Sequence, residues 1–382
     1  MVRAAILAML LATCAASARA AAVSAPTAAF KAGASSSGWI DFTPNKNLGI
    51  FLPVKINGRD AMAWLWGGPT SIDNSLAASI GLPSKTDAGS AVGGVEVQLG
   101  DLTLQNTKAK PDDLQALAYA KVIGRPVTFR LGEEVFNQVA VDIDFAHHRV
   151  AFLDPKAVVR PAGAVEAPLV ELDGERVVPL SVDGAAPAQF ELELGNTIGP
   201  LMVTPAYAQA HKLFEGHPTS KRLSGRYSET VVSVDHLDFA GVDFRKTPIA
   251  IIPDTELPPA SIKGGVGLPL LAKFRLIIDY PHNRLYAVPN AAAVKTPLEK
   301  DRFGLVLGAK DNAFAVAFVS PGSPAEAAGF KKGDKISLID GKPFDAWTRL
   351  AITEFNLADA GTRHVFTLPD GTRRQIKAVD FF

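Results

Sequence analysis

Four residue pairs, each separated by 135 positions, constrain this chain more than any other feature. Gly132 matches Gly267, Asp144 matches Asp279, Phe145 matches Tyr280 and Arg149 matches Arg284. A unit over about a hundred residues long that occurs only twice is a duplicated lobe; a solenoid stacks shorter units many times. The order of predicted elements repeats too. Ile50 to Ile56 reads as a strand, Asn57-Gly58 as a tight turn and Ala61 to Leu65 as the returning strand. Val177 to Val182, Asp183-Gly184 and Ala188 to Leu194 follow the same plan. Short helices are predicted over Ser75 to Ile80, stopped by Gly81, and over Pro205 to Leu213. Gly89 to Leu104 reads as a hairpin, and Val231 to Phe239 with the segment through Ile252 as strands. Each unit closes on a hairpin: Val139 to Phe145 with Arg149 to Leu153, and Phe274 to Tyr280 with Arg284 to Val288. Asp144 and Asp279 are read there as turn-capping carboxylates in edge-like hairpins.

Composition supports strands and turns. The chain has 382 residues, 27 prolines and 32 glycines, with 47% hydrophobic and 20% charged residues. Its formal net charge is zero, which excludes a bulk pull toward nucleic acid or an acidic membrane. The first residues read as a signal peptide: Arg3, an apolar stretch from Ala4 to Ala12, and Ala18-Arg19-Ala20 as the cleavage site. That stretch is too short to span a bilayer, and no later run reaches spanning length, so no transmembrane helix is expected. Cys14, the one cysteine, lies inside the leader; lipid anchoring there is the alternative to plain secretion. The mature chain then has neither disulfide nor thiol chemistry, which suits a periplasmic or secreted protein. Residues 21–37, rich in Ala, Ser and Gly, read as a flexible leader.

Several motifs together resemble the retropepsin-like aspartic proteases, with two lobes in one chain giving a pepsin-like pseudo-dimer. They are the strand, turn and strand before each candidate loop, Val266-Gly267-Leu268-Pro269-Leu270-Leu271, and Ile277-Ile278-Asp279-Tyr280 with Arg284-Leu285 behind. The resemblance implies a mainly β fold, with lobes at 38–160 and 161–290. In that family each lobe supplies one Asp from an apolar-Asp-Thr/Ser-Gly loop. The two carboxylates share a proton and activate a water. Here the first position falls on Trp66, followed by Gly67 and Gly68; a register placing Trp64 there is the alternative. The second falls on Glu193, followed by Leu194, Gly195 and Asn196. A lone Glu has no partner with which to share a proton, so loss of peptidase activity is expected. Glu193 is read either as an exposed acid at a strand end or as a retained catalytic group. Trp66 is read either as a filler or as a ring that stacks on a ligand. Asp73 is assigned to capping the following helix. No metal-ligand spacing and no nucleotide loop occur, so no metal and no cofactor are expected.

Beyond a linker at 291–298, residues 299–382 form a separate module. Ser323 to Phe330 (SPAEAAGF), Gly333-Asp334-Lys335-Ile336 and Ile339-Asp340-Gly341 resemble a PDZ domain of bacterial type, a small α+β barrel with two helices. An amphipathic helix is predicted over Asp345 to Leu357 and a last hairpin over Val365 to Leu368 and Gln375 to Val379. PDZ domains bind extended peptides by strand addition. By that resemblance the amides of Phe303, Gly304 and Leu305 receive a C-terminal carboxylate. Leu305, Val306 and Leu307 offer the ladder edge, and Leu350 walls the groove. The alternative is a groove closed by its own linker. The apolar end Val379-Asp380-Phe381-Phe382 is expected to pair in the last strand. Partners are therefore peptides or proteins, through C-terminal or extended segments. The function expected is a binding factor on an inactive protease fold; the alternative is a peptidase using Glu193 and an unidentified second acid.

Overall fold

The computed structural model describes residues 25–382 except 45–48, 85–89, 117–122, 198, 225–226, 311–312, 348–350 and 352–354. Residues 1–24, with Cys14, lie outside the described residues, as does Leu350.

The first lobe is built from β1 (Thr27–Phe30), β3 (Ile50–Ile56), β4 (Arg59–Leu65), β5 (Ser71–Asp73), β6 (Val92–Leu99), β7 (Leu102–Asp112) and β8 (Phe129–Leu131). Its sheet runs β1-β7-β5-β8-β4-β3-β6, and β6 also pairs with β7. That extra pairing closes six of the strands into a barrel, which removes their open edges. β1 falls in the segment read as a flexible leader. It is instead an ordered strand, with Thr27 opposite Gln105 and Phe30 opposite Leu102. Its short, largely exposed sequence carries no alternation that would mark the pairing, because the backbone supplies the ladder bonds.

The second lobe contains β12 (Val170–Leu172), β13 (Glu175–Val182), β14 (Ala188–Glu193), β15 (Leu201–Val203), β16 (Thr219–Ser224), β17 (Tyr227–Phe239), β18 (Val242–Ile251) and β19 (Gly264–Gly267). Its order is β12-β13-β14-β19-β15-β18-β17-β16, closed by a β13–β17 pairing. Both rings have the same order and the same sense. β4–β8 and β14–β19 are parallel, β5–β8 and β15–β19 antiparallel, β5–β7 and β15–β18 parallel. The duplication read from four residue pairs is thus a duplication of topology. The helix after β5, Asn74–Ser79, is capped by Asp73, whose Oδ1 accepts from the Ser75 amide at 2.9 Å.

A six-stranded sheet joins the lobes in the order β11-β21-β20-β9-β10-β2. The first lobe gives β2 (Ile40–Asp41), β9 (Ala140–Asp144) and β10 (Arg149–Leu153); the second gives β11 (Val165–Pro168), β20 (Phe274–Asp279) and β21 (Arg284–Pro289). β9 and β20 meet at its centre, with Ile143 opposite Leu276. Arg275 Nε and Nη2 span that seam to the carboxylate of Asp142, at 2.9 and 2.6 Å. The edge-like setting expected for Asp144 and Asp279 is therefore corrected: both lie on the central strands and are buried. Each is held by a histidine three residues on and an arginine five residues on, His147 and Arg149, then His282 and Arg284. One apolar core runs through both barrels, including Phe129, Phe136, Phe190 and Phe274.

The last module has its own core around Phe303, Phe314, Phe355 and Phe366. β22 (Leu305–Lys310), β23 (Ala313–Val319) and β24 (Lys335–Ile336) form one sheet; β25 (Leu338–Ile339), β26 (Arg363–Thr367) and β27 (Arg373–Lys377) form another. Ser323 caps the short helix Pro324–Ala327, accepting from the Glu326 amide at 3.2 Å. Of the predicted helix from Asp345 to Leu357, the described residues show 3-10 turns at Phe344–Ala346 and Phe355–Leu357. The chain end does not extend the last strand. Phe382 is buried against Val231 and Ala250 of the second lobe. Two adjacent phenylalanines bury more apolar area there than a terminal ladder position offers.

Candidate functional site

Strand alternation builds the cleft between the lobes. On β14, Phe190 and Leu192 point into the barrel, so Glu191 and Glu193 share the opposite face. On β4, Ala63 and Leu65 belong to the barrel core, and Met62, Trp64 and Trp66 lie on the other face. Pairing makes the two strands equivalent. Trp64 pairs with Arg130 and Leu65 with Leu131, while Glu191 pairs with Gly265 and Leu192 with Val266. One step further on in this register, Trp66 stands where Glu193 stands. The connecting loops differ: from Trp66 the chain reaches β5 at Ser71, but from Glu193 it travels to Leu201 before β15 begins.

The two faces are chemically opposite. In the first lobe Trp64 and Trp66 lie 5.3 Å apart, and the Arg130 guanidinium sits 4.8 Å from the Trp66 ring. Phe51, Met62 and Val127 complete this apolar layer. In the second lobe Gly265 takes the place of Arg130, and a Cβ there would collide with the Glu193 carboxyl. The Trp66 ring also packs against Gly68 and, across the interface, against Gly195. An indole of the first lobe thus closes over the loop that follows Glu193.

The cleft is a cavity of about 560 Å³. Seven of its nineteen described lining residues are glutamates, and its one basic residue is Arg176. That arginine is already engaged by Glu171 at 3.2 Å, by Asn283 at 2.7 Å and by the Tyr280 ring at 4.8 Å. Burial drives the Glu193 carboxyl up to about 7; a hydrogen bond with Asn196 pulls against this and the charge of Glu175 adds to it. Glu191 is pushed to about 8 by burial, by the charges of Glu193 and Glu175, and by a hydrogen bond with Glu175. Glu175, Glu191 and Glu193, all from the second lobe, are therefore a cluster of acids in which Glu175 raises both of the others. Sequence reasoning named Glu193 and missed the other two. The signal was present: alternation in Glu191-Leu192-Glu193 puts both acids on one face, and Val177 opposite Glu191 brings Glu175 alongside. Gly67, Gly68 and Gly195 line the cavity, whereas Leu194 is buried in the core. No group of three His, Cys, Asp or Glu among the described residues is placed to hold a metal ion.

The last module presents a second candidate. Phe303 is fully buried and stacks on Phe355 at 4.9 Å. Gly304 has φ +67, and a Cβ there would collide with Ser323. Leu305 is buried; Val306 and Leu307 are half-buried on β22. The β22–β23 register shifts between Val306 and Leu307. β22 is an edge strand: β23 pairs with one side, and the other has no strand partner among the described residues. The Phe303 and Gly304 amides both donate to Asp301 Oδ1, at 2.9 and 2.8 Å.

A family model described as "PDZ domain" matches residues 293–361. No curated protein matches the chain by sequence. Among solved structures, the chain is similar to the aspartic proteinase from Irpex lacteus, at 10% identity and a TM-score of 0.41, covering 67% of this chain and 98% of that one.

Proposed function

We propose that this protein holds extended peptide or unfolded protein segments and does not hydrolyse them. The observation that carries the reading is the free edge of β22 in a module matched as a PDZ domain. Such an edge takes an extended segment as an added strand, with main-chain hydrogen bonds giving affinity and side-chain pockets giving selectivity. The cleft adds a charge preference. Its glutamates favour segments bearing Lys or Arg, and more strongly as pH rises past the range where Glu193 and Glu191 ionise. The two-lobed body is read as a protease-like scaffold without the shared-proton pair, because Trp66 occupies the first position. Residues 1–20, read as a signal peptide, support a periplasmic or secreted location, with anchoring at Cys14 as the minor variant. Amide hydrogen exchange tests the binding reading. Peptides from denatured casein should slow exchange from Leu305 to Gly308 on β22. Binding that leaves those amides unchanged contradicts it.

One observation favours a second reading, an acid peptidase. Glu175 and Glu191 line the same cavity as interacting carboxyls, and a pair sharing one proton is the arrangement that activates water. Activity lost on Glu191→Gln would support it.

A further inference from the structure

The loop before β22 is already filled. Asp301 directs its carboxylate into the two amides that the PDZ resemblance assigns to a ligand's terminal carboxylate, those of Phe303 and Gly304. An N–H donates one good hydrogen bond at a time, so an incoming carboxylate has to displace this one. The neighbouring cations are committed as well. Arg302 Nε pairs with Asp380 at 2.7 Å and its Nη1 donates to the Ala358 carbonyl at 3.2 Å; Lys300 lies 3.7 Å from Asp380. Arg222, which reaches the loop from the second lobe, acts on Asp301 itself and forms an ion pair with Glu229 at 2.9 Å. A second carboxylate at this point would meet the charge of Asp301, with no further cation directed toward it among the described residues, at close range in a partly desolvated site.

The loop is built around this contact. The Arg302 carbonyl accepts from the Val379 amide at 3.1 Å and the Phe303 carbonyl from the Ala325 amide at 3.0 Å, which fixes the two peptide planes that carry the Phe303 and Gly304 amides. Gly304 cannot carry a side chain there without striking Ser323, so the backbone has little room to turn its amide elsewhere. The β22 edge beyond the loop is unaffected: Val306 and Leu307 remain half-buried with no second strand alongside among the described residues.

We infer that Asp301 is a specificity-determining residue that fills the cradle from within, so that β22 takes an internal extended segment of a partner chain and not a free C-terminus. This rests on the reading that the β22 edge binds peptide. The ligand's side chains and main chain then supply all the affinity, and its end supplies none.

The test uses the full chain and two displayed random-peptide libraries. One presents free C-termini; the other presents the same segments flanked on both sides. The wild-type protein should enrich the flanked library. Synthetic peptides from enriched clones should bind as free acid and as C-terminal amide within about twofold of each other. Asp301→Ala releases the amides and should shift that ratio toward the free acid by about tenfold or more. Asp301→Asn keeps an acceptor oxygen and should behave as the wild type. Wild-type protein that prefers free acids by about tenfold overturns the inference and leaves the peptide-binding reading intact. Failure of the wild type to enrich either library overturns both. Should Asp301→Ala not fold, hydrogen exchange on the wild type decides the point. The Phe303 and Gly304 amides should stay protected when a free-acid peptide is added at saturation, in a pattern identical to that with its amide. Added protection given only by the acid form overturns the inference.

Discussion

Asp279→Ala is expected to lower the stability of the two-lobed body by about 3–5 kcal/mol. The Asp279 side chain has no solvent exposure, and it accepts from Arg284 Nε at 2.8 Å and pairs with His282 Nδ1 at 2.9 Å. Its removal leaves the half-buried guanidinium of Arg284 on β21, next to the central strand β20, without a counter-charge. Most of the cost is that stranded charge and little is the net worth of the pair. Arg284 keeps 28% of its side-chain exposure, so water recovers part of it and the lower end of the range is expected. The duplicated partner gives an internal control. Asp144 retains 7% exposure, and its partners His147 and Arg149 retain 67% and 34%. Asp144→Ala should therefore cost roughly half as much, since exposed partners rehydrate. Urea denaturation of both variants reads the difference. Equal costs, or a cost below about 1 kcal/mol for Asp279→Ala, contradict the account of the seam.

Glu191→Gln with Glu193→Gln should stabilise the protein at alkaline pH by about 2–3 kcal/mol and leave it nearly unchanged near pH 4. Burial, followed by neighbouring acids, pushes these carboxyls from 4.5 up to about 8 and about 7. The folded state therefore holds protons that the unfolded chain releases above roughly pH 4.5. Stability is full below that value and falls as pH rises through 7 and 8, where the folded carboxyls must ionise next to Glu175. Glutamine keeps the hydrogen-bonding shape without the charge, so the variant's profile should lose that fall. Urea midpoints collected from acid to alkaline pH check it. A constant offset between the two proteins at all pH values would show that the acids are not buried together.

Much of the fold could be read from the chain because it is carried by local signals. Asn57-Gly58 and Asp183-Gly184 mark equivalent hairpins, and the matched hairpins at 140–153 and 274–289 mark equivalent ends of the lobes. Ser323 and Gly329 mark the helix of the last module. β1 was hidden because it is a short, exposed segment without alternation whose place is set by a distant partner, β7, and β16 because its polar sequence carries no apolar alternation, although it pairs with the adjacent β17. Burial of Asp144 and Asp279 was hidden for a related reason. A hairpin sequence does not say whether its outer side is water or another lobe, and the β9–β20 pairing puts another lobe there. Glu193 was found by position along a motif. Glu175 and Glu191 needed the register of β13 against β14, which the sequence holds only as alternation. Asp301 was missed because it precedes the motif and acts through backbone amides.

The central claim is that the cleft and the β22 edge grip polypeptide without cutting it. The most direct measurement is mass spectrometry of denatured casein incubated with the full chain from acid to neutral pH, read for new peptide termini. The account predicts none beyond those seen with heat-inactivated protein, while intact peptides co-purify with the chain. Contradiction would be new termini that pepstatin suppresses and that disappear on Glu191→Gln or Glu193→Gln. That result would make the Glu175–Glu191 pair and its neighbour a working acid centre.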